Sequence, residues 1–538
     1  MRVTLLTEGT YPHQHGGVSV WCDQLVQGMP DVDFDIIAVT GTGNEPLAWE
    51  LPANVRSVRT SALWGPADKG KPPRGRALRA FLDSYQRFLL SLIDPVYASH
   101  FSTELYSLAS LARRGLLSAA LRSEPALRTL QHTWTLEHLP TAAAEPTLHD
   151  ALHATDLLEH ALRPLAVEPP AEGVAHAVSG GLAAMTGLIA AQQYRVPFLL
   201  TEHGIYLRER YLGYRTGPYR WPVKALVLGF YRMLAEESYR QAALVTPGNR
   251  YNRRWEERGG TPADNIRTVY NGVDPDLFPA AGPEPATPTL SWAGRVDPIK
   301  DLETLIRAFA LVRAELPDAR LRLFGGTARG AEGYRDGCRR LADELGLAES
   351  VVFEGRVEDI QDAYAAGNVV MLSSISEGFP FTLIEAMSSG RATVSTDVGG
   401  VREAVGDTGL VVPPREPEPM AQAALELLRD PERRARLGEQ ARLRVIEQFT
   451  LRQNIDGFRG IYTELLGESR WLPERMVAVE SGQYAPQAPA PQVPGPRLLG
   501  ADGFDWWERQ ARNLRQEREQ PPGPDQGHPD GDRLREAR

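Results

Sequence analysis

The chain has only two cysteines, Cys22 and Cys338, in 538 residues. A chain this long builds its core without cross-links, so the scarcity speaks against a disulfide framework or a Cys-built zinc site and fits a reducing compartment. A basic surplus is also missing: 59 Lys and Arg stand against 69 Asp and Glu, a formal charge of −10. A general nucleic-acid binder needs positive surface to displace counterions, so that class is excluded and no nucleic-acid partner is expected. Long apolar runs are absent too. The longest uncharged stretch, Leu182 to Tyr194, falls short of the roughly 18 residues that cross a bilayer. The opening MRVTLLTEGTYP is apolar for only a few residues before Glu8 and has no small-residue cleavage site, unlike a secretory leader. The expected location is cytoplasmic, with any membrane contact peripheral, at the inner face. No Gly-x-Gly-x-x-Gly follows a strand pattern, which lowers a dehydrogenase reading, and no solenoid repeat is found.

What is present is an ordinary globular composition, 42% hydrophobic and 24% charged, over a length that predicts two to four domains. The strand VTLLTE, the glycine turn TYPHQHGGV, a helix from Ser19 to Met29 and the strand FDIIAVTG open a βαβ unit. From about 74 to 165 the period becomes helical, an insertion in the first domain. Strand and helix then alternate again through GVAHAVSG, PFLLTEH, ALVTPG and NIRTVYNG. Pro279 to Pro288 is Pro- and Ala-rich and aperiodic, a linker. Beyond it TLSWAGR, ARLRLFGG, SVVFEGR, NVVMLSS, RATVSTD and GLVVPP alternate with helices, as in a doubly wound sheet. The predicted class is α/β: a Rossmann-like domain over 1–280, a second over 286–450, a helix over 451–470 packing back on the first, and a Pro-rich disordered tail over 471–538. In that tail Phe504-Asp505-Trp506-Trp507 is either a docking peptide or incidental.

Ligands of facing doubly wound sheets bind at the strands' carboxyl ends, between the domains. In SSISEGFPFTLIEAMSSG, after the strand NVVMLSS, Glu377 lies on the strand-to-helix loop and Glu385 on the helix, with seven residues between. Such a loop is an anion site, and two carboxylates beside it suit a ligand that also carries vicinal hydroxyls, as a nucleotide sugar does. Arg295 and Lys300, in GRVDPIK, flank the turn after the second domain's first strand and supply fixed charge for a diphosphate. Gly16 and Gly17 sit in the first βα turn, where glycine admits a close ligand or simply a tight turn. His203 ends the strand PFLLTEH at the same edge, either structural or a partner for a sugar hydroxyl. Arg208 and Arg210 follow it, as solvated surface or acceptor contacts. Gly65 to Lys71 copies P-loop spacing, but no strand precedes it and Pro72 replaces the magnesium hydroxyl. The acidic run Asp31, Asp33, Asp35 reads as a polar turn rather than a metal site.

These residues carry a family resemblance. SEGFPFTLIEAMSSGRATVSTDVGGVREAVGDTGLVVPP, with GRVDPIK upstream, resembles glycosyltransferase family 4, retaining enzymes of the GT-B fold, over about Leu290 to Leu466. The opening LLTEGTYPHQHGGVSVW, the helical insertion and TEHGIYLRER resemble more narrowly the PelF-type transferases of bacterial exopolysaccharide assembly. The resemblance implies that Glu377 contacts the donor sugar, Glu385 the ribose hydroxyls, and Arg295 with Lys300 the leaving diphosphate. It implies further that Gly16 and Gly17 lie over donor phosphate and acceptor, that His203 lies near the donor sugar, and that Gly378, Phe379 and Pro380 lie on the donor loop. No metal and no cofactor are implied. The expected activity is transfer of a sugar, with retention, from a nucleotide diphosphate donor, uridine favoured, to a saccharide acceptor. The first-domain strand ends offer no obvious carboxylate nucleophile, so front-face substitution is expected. Membrane-bound polysaccharide synthase subunits are possible partners. Rival readings are a nucleotide-sugar epimerase and a non-catalytic scaffold subunit of a synthase.

Overall fold

The computed structural model describes residues 1–66, 70–136, 145–327, 330 and 332–467. Its first sheet holds β1 (Arg2–Glu8), β2 (Asp33–Thr40), β3 (Val55–Ala62), β4 (Val174–Ala177), β5 (Phe198–Glu202) and β6 (Leu244–Pro247). Its second holds β7 (Thr289–Ala293), β8 (Arg320–Phe324), β9 (Val351–Gly355), β10 (Val369–Leu372), β11 (Ala392–Thr396) and β12 (Leu410–Val412). The orders are β3-β2-β1-β4-β5-β6 and β12-β11-β10-β7-β8-β9, every pairing parallel. Read from each domain's first strand the two orders are the same, so each sheet reverses direction once, between β1 and β4 and between β7 and β10.

Helices cover both faces, so most strands are buried on both sides and read as continuous apolar runs: β4, β5, β6, β7, β10 and β11 are buried throughout. β3 is the exception. Its VRSVRTSA is half exposed at the sheet edge, carries no apolar run, and was absent from the strands expected; it forms because β2 offers a ladder from Phe34 to Thr40. The expected strand NIRTVYNG shrinks to a bridge between Val245 and Ile266. Arg267 and Val269 donate to the carbonyls of Val245 and Pro247, both at 3.0 Å, and the chain then turns away toward the second domain.

Between β3 and β4 stand the helices Gly75–Ile93, His100–Arg113, Leu117–Leu121, Glu124–Trp134 and Leu148–Leu162. Phe81, Tyr85, Phe88, Phe101 and Leu105 pack with Phe230 of the helix Trp221–Gln241 and with Leu6 and Ile37 of the sheet into one cluster. The last of the inserted helices begins with a capping box, Thr147 and Asp150 bonding each other's backbone.

The linker is held rather than loose. Arg391, buried, donates to the carbonyls of Ala281, Gly282 and Pro283, and Arg434 pairs with Glu284. Beside it the chain crosses back: Val273 N–H donates to Phe449 and Leu451 N–H to Val273, at 2.9 and 2.8 Å. The returning helix Leu451–Gly467 buries Phe458, Ile461, Tyr462 and Leu465 among Trp21, Cys22 and Leu25 of the first domain. Asp31, Asp33 and Asp35 are each spent on an arginine, Arg459, Arg56 and Arg2. Both cysteines are free and buried. No helix among the described residues is long and apolar enough to cross a membrane. The tail over 471–538 with its Phe504–Trp507 peptide, and part of the Gly65–Lys71 loop, lie outside the described residues.

Candidate active site

The second sheet's switch point collects the charges. After β7 the chain makes a short turn, Pro298–Lys300, begun by the Asp297 carboxylate accepting the Ile299 N–H at 3.1 Å. Asp301, left-handed at φ 49°, then caps the helix Leu302–Glu315 through Thr304. Two bonds tie this turn to the loop after β10: Ile375 N–H to the Ile299 carbonyl at 2.9 Å, and Ser373 Oγ to the Lys300 carbonyl at 2.7 Å. The result is a cross-loop ion pair, Lys300 Nζ to Glu377 Oε1 at 2.6 Å, with Ser374 Oγ donating to the same oxygen at 2.6 Å. The two side chains are 20% and 11% exposed. Arg295 is 60% exposed and has only a 3.5 Å pairing to Asp297, which leaves its guanidinium available to an anion.

The loop that follows is shaped by glycine at two points. A Cβ on Gly378 would lie 1.8 Å from the His203 carbonyl oxygen, and one on Gly399, at φ +56°, would lie 1.9 Å from the Glu377 carbonyl oxygen. Backbone therefore meets backbone where the two domains touch. The carbonyls of Gly378 and Phe379 are engaged by Gly400 N–H and Asn271 Nδ2. The Phe379 ring is a core anchor between Tyr270 and Phe449, with centroids at 5.2 and 5.1 Å. Pro380 precedes the helix Phe381–Ser388 in extended conformation, and no side chain caps that helix. Its first N–H groups and positive dipole end come just after Glu377, the partner of Lys300, and favour negative charge. On the same helix Glu385 accepts a hydrogen bond from the buried Tyr364 hydroxyl. Burial pushes the Glu385 carboxyl up to about 7, against the Tyr364 bond, which favours the charged form.

On the opposite wall Gly16 precedes the helix Gly17–Gln27, again with no side-chain cap. A Cβ on Gly17 would meet Phe381 at 3.7 Å, ordinary contact. The His203 ring packs edge-on to Trp21 at 4.7 Å. Burial pulls its imidazole down to about 4, so at neutral pH it is an uncharged hydrogen-bonding group rather than a cation. Gly17, His203, Gly378 and Phe381 thus meet at one seam, with the Lys300–Glu377 pair at its second-domain edge. Among the described residues no group of three or more His, Cys, Asp or Glu has metal-binding spacing.

The first-domain strand ends hold two carboxylates that the sequence reading did not name as site residues: Glu8 closes β1 and Glu202 closes β5. Both follow the same signal, an apolar run ending in Thr-Glu, and sequence reading passed over them. Neither stands free. Glu8 accepts from Leu182 N–H at 2.7 Å, Tyr206 hydroxyl at 2.8 Å and Arg210 Nη2 at 3.1 Å. Glu202 accepts from the Tyr239 hydroxyl, and burial pushes it up to about 7. Arg210 is accordingly an internal partner, stacked 4.5 Å over the Tyr206 ring, while Arg208 is half-buried on the same helix.

This architecture, two doubly wound sheets meeting at their strand ends, is the GT-B fold. Sucrose-phosphate synthase from Thermosynechococcus elongatus superposes with a TM-score of 0.58 at 20% identity, over 87% of this chain and 100% of that one. Anabaena HepE in complex with UDP does so at 0.55 and 16%, over 86% and 100%. Residues 287–430 match the family model described as glycosyl transferases group 1, and residues 1–264 match a domain of unknown function, DUF3492. The D-inositol 3-phosphate glycosyltransferase of Streptomyces avermitilis is 28% identical over 278 residues, 48% of this chain and 59% of that protein. The N-acetyl-alpha-D-glucosaminyl L-malate synthase of Bacillus anthracis is 28% identical over 220 residues, 39% of this chain and 56% of that protein. The chain spans little more than half the length of these curated relatives. The match to glycosyl transferases group 1 lies in the second domain, and the GT-B fold spans both.

Proposed function

We propose that the chain is a retaining glycosyltransferase that moves a sugar from a nucleotide diphosphate donor, UDP favoured, to a saccharide acceptor. The observation that carries this reading is the Lys300–Glu377 pair at the open N-terminus of the helix Phe381–Ser388, with exposed Arg295 beside it and His203 across the seam. A lone anion would need the cations but not the carboxylates. A donor that joins a diphosphate to two sugars uses both: Arg295, Lys300 and the helix N–H groups take the phosphates, Glu377 the transferred sugar, Glu385 the ribose.

Arriving phosphate competes with Glu377 for Lys300, which releases the carboxylate to accept sugar hydroxyls as the donor seats. The bond from anomeric carbon to diphosphate oxygen breaks, and the acceptor oxygen forms its bond on the same face. The acceptor proton passes to the departing phosphate oxygen. Because Glu8 and Glu202 are both engaged, a front-face route needs no protein nucleophile from the first sheet. Positioning and charge stabilisation supply the rate, and fixed cations supply charge that a metal would otherwise bring. Gly16 and Gly17 lie over donor phosphate and acceptor, and neutral His203 lies near the donor sugar. The further assignment to exopolysaccharide assembly of the PelF type, in the cytoplasm beside membrane-bound synthase subunits, rests on the likeness of the first domain's opening and TEHGIYLRER to those transferases.

The test is a thermal-shift panel with UDP, GDP, ADP and their sugars. A ligand at a hundredfold over its Kd adds about 2.7 kcal/mol, so one nucleotide should raise the melting temperature and lose that effect in Arg295→Ala. Silence across the panel would end the donor reading and leave the scaffold alternative. For the active donor, proton NMR of the first product formed reads the anomeric configuration directly.

A further inference from the structure

Among the described residues, Glu385 of the second domain takes its hydrogen bond from a neutral, fully buried hydroxyl. Tyr364, 0% exposed, donates to Glu385 Oε2. Glu385 keeps partial exposure, and among the described residues its other oxygen, Oε1, takes no hydrogen bond. The tyrosine itself cannot drift. Its ring sits in a small apolar cluster with Ala293 of β7, Val370 of β10, Phe324 and Ala386. Its backbone carbonyl accepts from Arg391 Nε at 3.3 Å, and the same guanidinium clamps the interdomain linker.

A carboxylate with two free oxygens rotates and accepts in many geometries. One with an oxygen fixed from behind presents the other in a single direction, the arrangement in which an outer partner orients an inner acceptor. From this geometry we propose that Tyr364 is the positioning residue that makes Glu385 a reader of the nucleotide's cis-diol, so that the site takes ribonucleoside diphosphates and discriminates against their 2′-deoxy forms. The proposal rests on the donor-site reading above. It differs in what it predicts, because a tyrosine that merely filled space would affect ribose and deoxyribose ligands alike.

The experiment uses the full-length protein and isothermal calorimetry with UDP and 2′-deoxy-UDP on wild type, Tyr364→Phe and Glu385→Gln, with melting curves alongside. Wild type should bind UDP about tenfold more tightly than 2′-deoxy-UDP, the size of one satisfied hydrogen bond. Both variants should bring that ratio within about twofold, weakening UDP far more than 2′-deoxy-UDP, which offers Glu385 only its 3′-hydroxyl. If Glu385→Gln lowers the ratio and Tyr364→Phe does not, the carboxylate reads the ribose without the tyrosine and the proposal is overturned, the donor site standing. Equal weakening of both ligands in Tyr364→Phe, or a large fall in its melting temperature, assigns Tyr364 to packing alone and overturns it as well. If wild type binds both ligands equally, the ribose reading of Glu385 fails with the donor site standing; if it binds neither, the donor-site reading falls and takes this proposal with it.

Discussion

The two sheets share one strand order and differ in how their carboxyl ends are finished. In the first, charge is consumed internally: Glu8 on Arg210 and Tyr206, Glu202 on Tyr239, and His176 between Tyr462 and Thr201 at 2.8 and 2.7 Å. In the second, charge is left within reach, with Arg295 exposed and Lys300 bound to a single carboxylate that another anion can displace. The same topology therefore serves once as a rigid wall and once as a charged cradle. Strand order places a site, and side-chain pairing at the strand ends decides whether it can bind.

The sharpest way to test that contrast is to remove the second domain's cations. Arg295→Ala and Lys300→Ala are each expected to lower kcat by about 10²- to 10³-fold. Arg295→Ala should do so with an unchanged melting temperature, since its one pairing is long and exposed. An activity loss of similar size with equal unfolding would erase the distinction between wall and cradle.

The first domain should answer to pH instead. Glu202 lies near 7 in the folded protein and near 4.5 in an unfolded chain. Below 4.5 both states are protonated and nothing is lost. As pH rises from 4.5 to 7 only the unfolded state releases its proton, so stability falls, by up to about 3 kcal/mol. Buried Glu256, pushed up to about 9, extends the decline to higher pH. Melting temperature should thus drop between pH 5 and pH 8, and Glu202→Gln should make the part below 7 shallower, the slope that remains coming from Glu256. A wild-type melting temperature constant over that range would mean that the buried carboxyls are not held neutral. Smaller still, Tyr462→Phe takes one partner from buried His176 and should cost about 1 kcal/mol in urea unfolding. Arg459→Ala breaks an exposed pair with Asp31 and should cost under about 1 kcal/mol by the same measure.

Legibility in the sequence followed the same division. The second domain's six strands each read as an apolar run closed by Gly, Ser, Asp or Pro, clearest in β7, β10 and β11, where two-sided burial leaves that trace, and Glu377 and Lys300 stood in recognisable loops, Glu385 on the helix after one. β3 was not legible, since an edge strand borrows its order from β2 rather than from its own pattern. Glu8 and Glu202 were in plain view after their apolar runs. Their meaning lay in partners far along the chain, Arg210 and Tyr239, which no local pattern announces. Tyr364 was hidden for the same reason: a tyrosine in a helix reads as core, and only its hydroxyl's partner says more. The linker's composition spelled flexibility, whereas Arg391 and Arg434, more than a hundred residues later, hold it fast.

The helix Leu451–Gly467 carries an implication about order of assembly. His176, Trp21 and the sheet beneath them belong to the first half of the chain, but the surface that seals them, Phe458 and Tyr462, is the last part of the described protein to leave the ribosome. During synthesis the amino-terminal domain therefore emerges first yet is completed last. For the whole time that the second domain is being made, an aromatic face of the first stands open, a span in which a chaperone or a misplaced neighbour competes with the helix that belongs there.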